Sequence, residues 1–180
     1  MREDVAYINQ FLSGDEKAFD ALVRKYQDRV LNITYSLIGR DRESEDIAQE
    51  VFLKVYHGLN SFRNQSQFST WLYRIVVNTV YDFLRKRKKF LSDQELLEAS
   101  VFTGEGPRES LMNKENDAFI QKAIDSIPVH YRVALVLKDI ENLSYAEISS
   151  VLKCSIGTVE SRIFRARQFL KEELIRTGKI

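Results

Sequence analysis

Cysteine is almost absent from this 180-residue chain, histidine occurs twice, proline twice and glycine seven times. A lone Cys154 excludes an internal disulfide. With only His57 and His130 beside it, no spacing resembles a zinc site, so neither a metal nor a cofactor is expected. So few Gly and Pro, against abundant Leu, Ala, Glu, Lys, Arg and Gln and few alternating β-branched runs, predict helices nearly throughout. No apolar run approaches the roughly 18 residues of a membrane span. The first ten residues, MREDVAYINQ, carry charge where a signal peptide needs an apolar core. The expectation is a cytoplasmic protein with no direct membrane insertion. Clustered carboxylates and a His-based constellation are also missing, which leaves an enzyme such as a nuclease without its chemistry, and no enzymatic role is expected.

What the chain does have is 44% apolar residues, enough to bury the core of one ordinary domain or two small ones. Its net charge of +1 conceals an uneven distribution. Segment 70–90 has six basic residues against one acid, 91–117 has two against seven, and 153–180 has seven against three. Two basic modules therefore flank an acidic connector, where SVFTGEGPRES gathers residues that break helices and strands. The fold class read from this pattern is all-α, with two helical domains at 1–90 and 114–180 joined by a flexible acidic linker at 91–113.

Apolar residues at helical spacing recur from Val5 to Leu37, from Glu45 to Leu59 and from Thr70 to about Lys88. Near the other end, Ser144 stands three residues before Glu147, the spacing of a capping box, which predicts a helix from Tyr145 to Leu152. Lys153-Cys154-Ser155 is then a turn, and Ser155 can cap a last helix running to about Arg176. Short helix, tight turn and longer basic helix make a helix-turn-helix. On the last helix Ile156, Val159, Ile163, Ala166 and Leu170 form a core stripe. Thr158, Ser161, Arg162, Arg165 and Gln168 lie opposite, with groups that reach base edges and phosphates in a major groove. The competing reading is an amphipathic helix whose basic face meets only solvent.

In FSTWLYRIVVNTVYDFLRKRKK, the same projection places Leu72, Val76, Val80 and Phe83 on a buried side. Trp71, Arg74, Asn78, Tyr81, Asp82 and Arg85 fall opposite. Rings beside guanidinium groups suit unstacked bases, since stacking contributes roughly 1–3 kcal/mol per base while Arg and Lys follow the backbone. The preceding loop carries Arg63, Asn64, Gln65, Ser66 and Gln67 between Phe62 and Phe68, a composition suited to an extruded base. Alternatively, Trp71 and the two Phe rings close a small helical core. In SEDIAQEVFLKVYHG, Asp46, Gln49, Glu50 and Leu53 lie opposite the core stripe, and an exposed Leu amid acids and amides resembles a protein-binding patch.

These motifs resemble the extracytoplasmic-function group of bacterial sigma factors, closest to the envelope-stress type. The resemblance rests on EDIAQEVFLKVY, FRNQSQFSTWLYRIVVNTVYDFLRKRKK and LSYAEISSVLKCSIGTVESRIFRARQFLKEEL, and covers about 5–90 and 115–175. It implies a dissociable specificity subunit of RNA polymerase with a sigma-2 and a sigma-4 domain. Asp46, Gln49, Glu50 and Leu53 would dock on the clamp helices of the largest subunit. Phe62, Arg63, Asn64, Phe68 and Asn78 would take a flipped base of the -10 element, supported by Trp71, Arg74, Tyr81 and Arg85. Thr158, Ser161, Arg162, Phe164, Arg165 and Arg167 would read or anchor the -35 element. Implied partners are core polymerase, promoter DNA and an anti-sigma factor, often membrane-bound, with a stress response as the setting. One position departs: Glu160 stands where relatives often have a basic residue. Its carboxylate cannot hold a phosphate, but can accept from a cytosine amino group or pair with Arg167. The alternative reading is a stand-alone helix-turn-helix regulator binding duplex DNA as a dimer, which gives the face around Trp71 and Asn78 no role.

Overall fold

The computed structural model describes residues 2–39, 42–95 and 123–177, and among them every regular element is a helix. The first module comprises α1 (Arg2–Leu12), α2 (Glu16–Ile38), α3 (Arg42–Gly58) and α4 (Phe68–Glu95), with a 3₁₀ turn at Leu59–Ser61. The second comprises α5 (Val129–Leu135), which continues as a π-helical turn at Val136–Ile140, then α6 (Tyr145–Leu152) and α7 (Ile156–Arg176).

The apolar periodicity from Val5 to Leu37 is split into two helices. Gly14 sits at φ 103, a conformation open to glycine without strain, and Asp15 then caps α2 by accepting from the Lys17 N–H at 3.1 Å. Lys25 ties the pieces together, its ammonium 2.6 Å from Glu3 and 2.7 Å from Asp4. Helix α4 runs to Glu95, past residue 90 where the sequence places the end of the first domain. The rest of the expected linker, 96–113, lies outside the described residues.

The helix-turn-helix follows its sequence signals. Ser144 accepts from the Glu147 N–H at 3.3 Å while its own N–H donates to Glu147 Oε2 at 2.8 Å, a reciprocal capping box. Hydrogen bonds from Ser144 hold the Glu147 carboxyl below its ordinary range. Lys153 closes α6 in the left-handed region at φ 50, and Ser155 caps α7 by accepting from the Thr158 N–H at 3.1 Å.

One apolar cluster runs through both modules. Leu72, Val76 and Val80 of α4 meet Val30, Ile33 and Leu37 of α2 and Val51 and Val55 of α3. The same cluster continues into Val133, Leu137, Ile148 and Val151 of the second module. Each such side chain contributes roughly 1.5–3 kcal/mol on full burial, so the junction is a hydrophobic contact in its own right. Helix α6 packs on α4, while α5 and the π-helical turn pack on α2.

Polar groups cross the junction as well. Buried Arg132 donates to the Leu37 carbonyl at 2.8 Å, satisfying a group left open at the end of α2, and to Ile127 O and both the side chain and carbonyl of Asp125. Burial pulls its pKa down, partly offset by Asp125. Arg29 donates to the Tyr73 hydroxyl at 3.3 Å, and both groups lie near enough to Glu141 of the second module to affect its pKa.

Candidate nucleic-acid interface

The structure separates the residues that the sequence groups on the outer side of α4. Asn78 is exposed, and its amide has no hydrogen-bond partner among the described residues. Arg85 is exposed and bound to Asp82 at 2.9 Å. Arg74 is half-buried and donates its Nε to the Ser150 carbonyl of α6 at 2.9 Å. Tyr81 is half-buried near Arg162 and Cys154 of the second module; burial raises its pKa, and Arg162 partly opposes the rise. Both side chains are therefore partly covered by the second module.

Trp71 is also half-buried, but inside its own module. Its indole lies 5.3 Å from the Phe62 ring and 5.9 Å from the Phe68 ring, centroid to centroid. A Cβ at Gly58 would come within 3.3 Å of it, so the absent side chain at Gly58 lets the ring seat. Phe68 is 4% exposed and packs edge-on to Tyr26 at 5.3 Å, offering no face to a base. The small helical core weighed as an alternative therefore accounts for Phe68, which supports the loop from beneath. Arg63, Asn64 and Gln65 of that loop are exposed, and Asn64 holds a left-handed φ of 54.

On α3, Asp46, Gln49, Glu50 and Leu53 are all exposed, Leu53 by 60%. Glu50 is partly neutralised by Lys54 at 2.8 Å, which also reaches Thr79 of α4. Beside this face a groove of ~310 Å³ opens between α2 and α3, walled by Val23, Gln27, Leu31 and Tyr35 opposite Glu45, Ala48, Gln49 and Phe52. Sequence reasoning missed the α2 wall. Its signal was two apolar residues, Val23 and Leu31, standing off the buried stripe of Leu22, Tyr26, Val30 and Ile33.

On α7, Val159, Ile163 and Ala166 are buried as the core stripe requires. Ile156 is 48% exposed instead, because it is the first residue after the turn and precedes the part of α7 covered by α5 and α6. Thr158 is half-buried, its hydroxyl 2.9 Å from that of Ser155, and Ser161 donates back to the Thr158 carbonyl. Phe164 is 60% exposed. Arg165 is exposed, with no ion pair among the described residues. Arg162 is half-buried at the junction, and Arg167 is held by Asp139 at 2.8 and 3.3 Å, which raises its pKa. Among the described residues no helix is long and apolar enough to cross a membrane, and no group of His, Cys, Asp or Glu could hold a metal ion.

A capped helix-turn-helix with an exposed mixed polar and basic face, joined to a helical module whose α4 carries an exposed amide and, near its start, a cluster of rings, defines a two-module DNA-binding protein. Residues 22–90 match the family described as Sigma-70 region 2, and residues 120–170 match Sigma-70, region 4. The chain belongs to the extracytoplasmic-function group of the sigma-70 family, and sigma factors are transcription initiation factors. It is 38% identical to the RNA polymerase sigma-H factor of Pseudomonas aeruginosa, over 96% of this chain and 94% of that protein. It is 36% identical to the ECF RNA polymerase sigma-E factor of Escherichia coli K12, over 95% of this chain and 94% of that protein. Among solved structures, CnrH in complex with the cytosolic domain of CnrY aligns with a TM-score of 0.75 at 25% identity, covering 97% of this chain and 98% of that one. The sigma factor RpoE in complex with the anti-sigma factor NepR from Bartonella quintana aligns at 0.70 and 25% identity, covering 88% and 97%. Because both modules match in order, the stand-alone dimeric regulator is set aside.

Proposed function

We propose that the residues of this sigma factor divide promoter recognition as follows. The exposed side of α3, Asp46, Gln49, Glu50 and Leu53, docks on the clamp helices of the largest polymerase subunit. The loop residues Phe62, Arg63 and Asn64, with Asn78, capture an extruded base of the -10 element, while Trp71, Arg74, Tyr81 and Arg85 support the opened strand. Thr158, Ser161, Arg162, Phe164, Arg165 and Arg167 engage the -35 element by the major groove. The division of the chain at about 90 and 114, with an acidic segment between, is part of the same proposal.

The observation that carries this reading is Asn78, an exposed mid-helix amide with no hydrogen-bond partner of its own among the described residues. A free amide offers a donor and an acceptor, which a base edge can meet and an apolar partner cannot. Melting then follows from differential binding: base capture favours the open strand over the duplex by a few kcal/mol. The protein itself catalyses nothing, and works in the cytoplasm where polymerase and promoter are. An anti-sigma factor is a further proposed partner, since a solved relative is bound to one; it would cover these same surfaces until a stress signal releases it.

Run-off transcription with purified core polymerase, followed by start-site mapping and permanganate footprinting, tests the assignment. The expected result is specific initiation with unpaired bases upstream of the start. Specific duplex binding by the free chain, unchanged by core polymerase, would reject it.

A further inference from the structure

In the first three turns of α7, one acid stands among the hydroxyls and guanidinium groups. Glu160 is exposed, and its carboxylate makes no hydrogen bond or ion pair with any described residue. The obvious internal partner is taken. Arg167 lies about two turns further along the same flank, but its Nε and Nη2 both bond Asp139, at 3.3 and 2.8 Å. Arg165, which makes no ion pair with any described residue, is turned from Glu160 by roughly 140° and serves the other flank. The helix N-terminus offers little compensation, because its field falls off within the first turn and Glu160 is beyond it.

A helix in the major groove has phosphates along both rims and base edges along its floor. An unpaired carboxylate is repelled by the rims, so the groove costs it solvation unless a donor on the floor meets it. Two bases supply amino donors there. Adenine sets its amino group beside the N7 acceptor, which repels a carboxylate, whereas on the major-groove edge of cytosine the amino group has only the C5–H beside it on its own ring. Phe164 stands about one turn along from Glu160 and is 60% exposed, an apolar surface fitted to the C5 edge of a pyrimidine.

We infer that Glu160 is a specificity-determining residue that selects a cytosine at one position of the -35 element. The inference rests on the proposed use of α7 in promoter recognition and adds a base identity to it. The amino group donates to Glu160, while the basic flank of Arg162 and Arg165 takes the phosphates. The carboxylate thereby sets the orientation of α7 in the groove as well as one letter of its site.

The test is initiation by holoenzyme assembled from the full chain and core polymerase, on a mapped promoter whose -35 element is randomised. For the wild-type chain, one position should favour cytosine roughly ten- to a hundredfold over other bases. Glu160→Gln should move the preference at that position to adenine, whose adjacent donor and acceptor match an amide, and Glu160→Ala should flatten it. The same base preferences in all three proteins would overturn the inference, as would a uniform gain on every sequence, which marks simple phosphate repulsion. Absence of initiation by the wild-type chain at any promoter would sink the sigma-factor assignment itself. A wild-type chain that initiates but shows no cytosine preference at any position of the element would sink this inference alone.

Discussion

Arg74 of α4 gives its Nε to the backbone carbonyl of Ser150 in α6 at 2.9 Å, so the second module occupies a cation assigned to the opened DNA strand. The same helix pair shelters Ile148 and Val151, both buried in the cluster that joins the modules. In the proposed division of promoter recognition, promoter DNA and α6 therefore compete for one side of α4.

This competition predicts a change in protection. Backbone amides of residues 145–152 should exchange more slowly in the free chain than in the polymerase–promoter complex, because assembly exposes a face that α4 covers. Hydrogen exchange measured in both states decides it. Equal protection throughout would mean that the contact persists and that Arg74 never meets DNA.

Asn78→Ala removes an amide that bonds nothing within the described residues, so thermal stability should be unchanged or slightly raised, given the better helix propensity of Ala. Strand opening should fall by roughly tenfold or more, the scale of one lost base contact. Permanganate reactivity at the -10 element reads the opening, and co-elution with core polymerase reads the assembly. Normal opening by the variant would remove Asn78 from base capture.

Much of this was legible in the sequence for reasons that differ between elements. The capping box at Ser144 and Glu147 is local chemistry at a fixed spacing, and α6 starts and stops where that chemistry places it. Leu72, Val76 and Val80 on the buried side of α4 and the exposed stripe of α3 follow from helical periodicity alone, whereas Phe83, expected on the same buried side, is half-buried. Trp71, Arg74 and Tyr81 show the limit of the method. Periodicity places them away from the core of their own helix, but whether that side meets solvent, a neighbouring loop or another module depends on contacts between segments distant in sequence. Trp71 meets Phe62 and Phe68, while Arg74 and Tyr81 meet the second module. The pairing of Arg167 with Asp139 is equally non-local, and without it the role of Glu160 stays open.

Leu53→Asp tests the protein-facing side of α3. Leu53 is 60% exposed, so the substitution should leave the melting temperature within about a degree or two, as surface changes do. Affinity for core polymerase should drop by about 2 kcal/mol if Leu53 anchors the contact, a roughly thirtyfold rise in Kd. A titration of labelled chain with core polymerase measures this. An unchanged Kd would move the docking site off the Leu53 face, with the groove between α2 and α3 as the next surface to probe.

Glu141 makes the junction between the modules sensitive to pH. Burial pushes its carboxyl above the ordinary value of 4.5, while the opposite charge of Arg29 and a hydrogen bond from Tyr73 pull it partly back. The folded chain thus holds this proton more tightly than the unfolded chain does. The contribution is fully present below the unfolded value near 4.5 and is lost as pH rises through the raised folded value. Glu141→Gln keeps the shape of the protonated form and does not titrate. The variant should therefore melt at a higher temperature than wild type at neutral pH, with the gap closing as pH falls toward 4.5. Melting curves across that interval, at fixed salt, check the sign. A gap that stays constant with pH, or opens on acidification, would show that the charged carboxylate is better accommodated by Arg29 and Tyr73 than its burial implies.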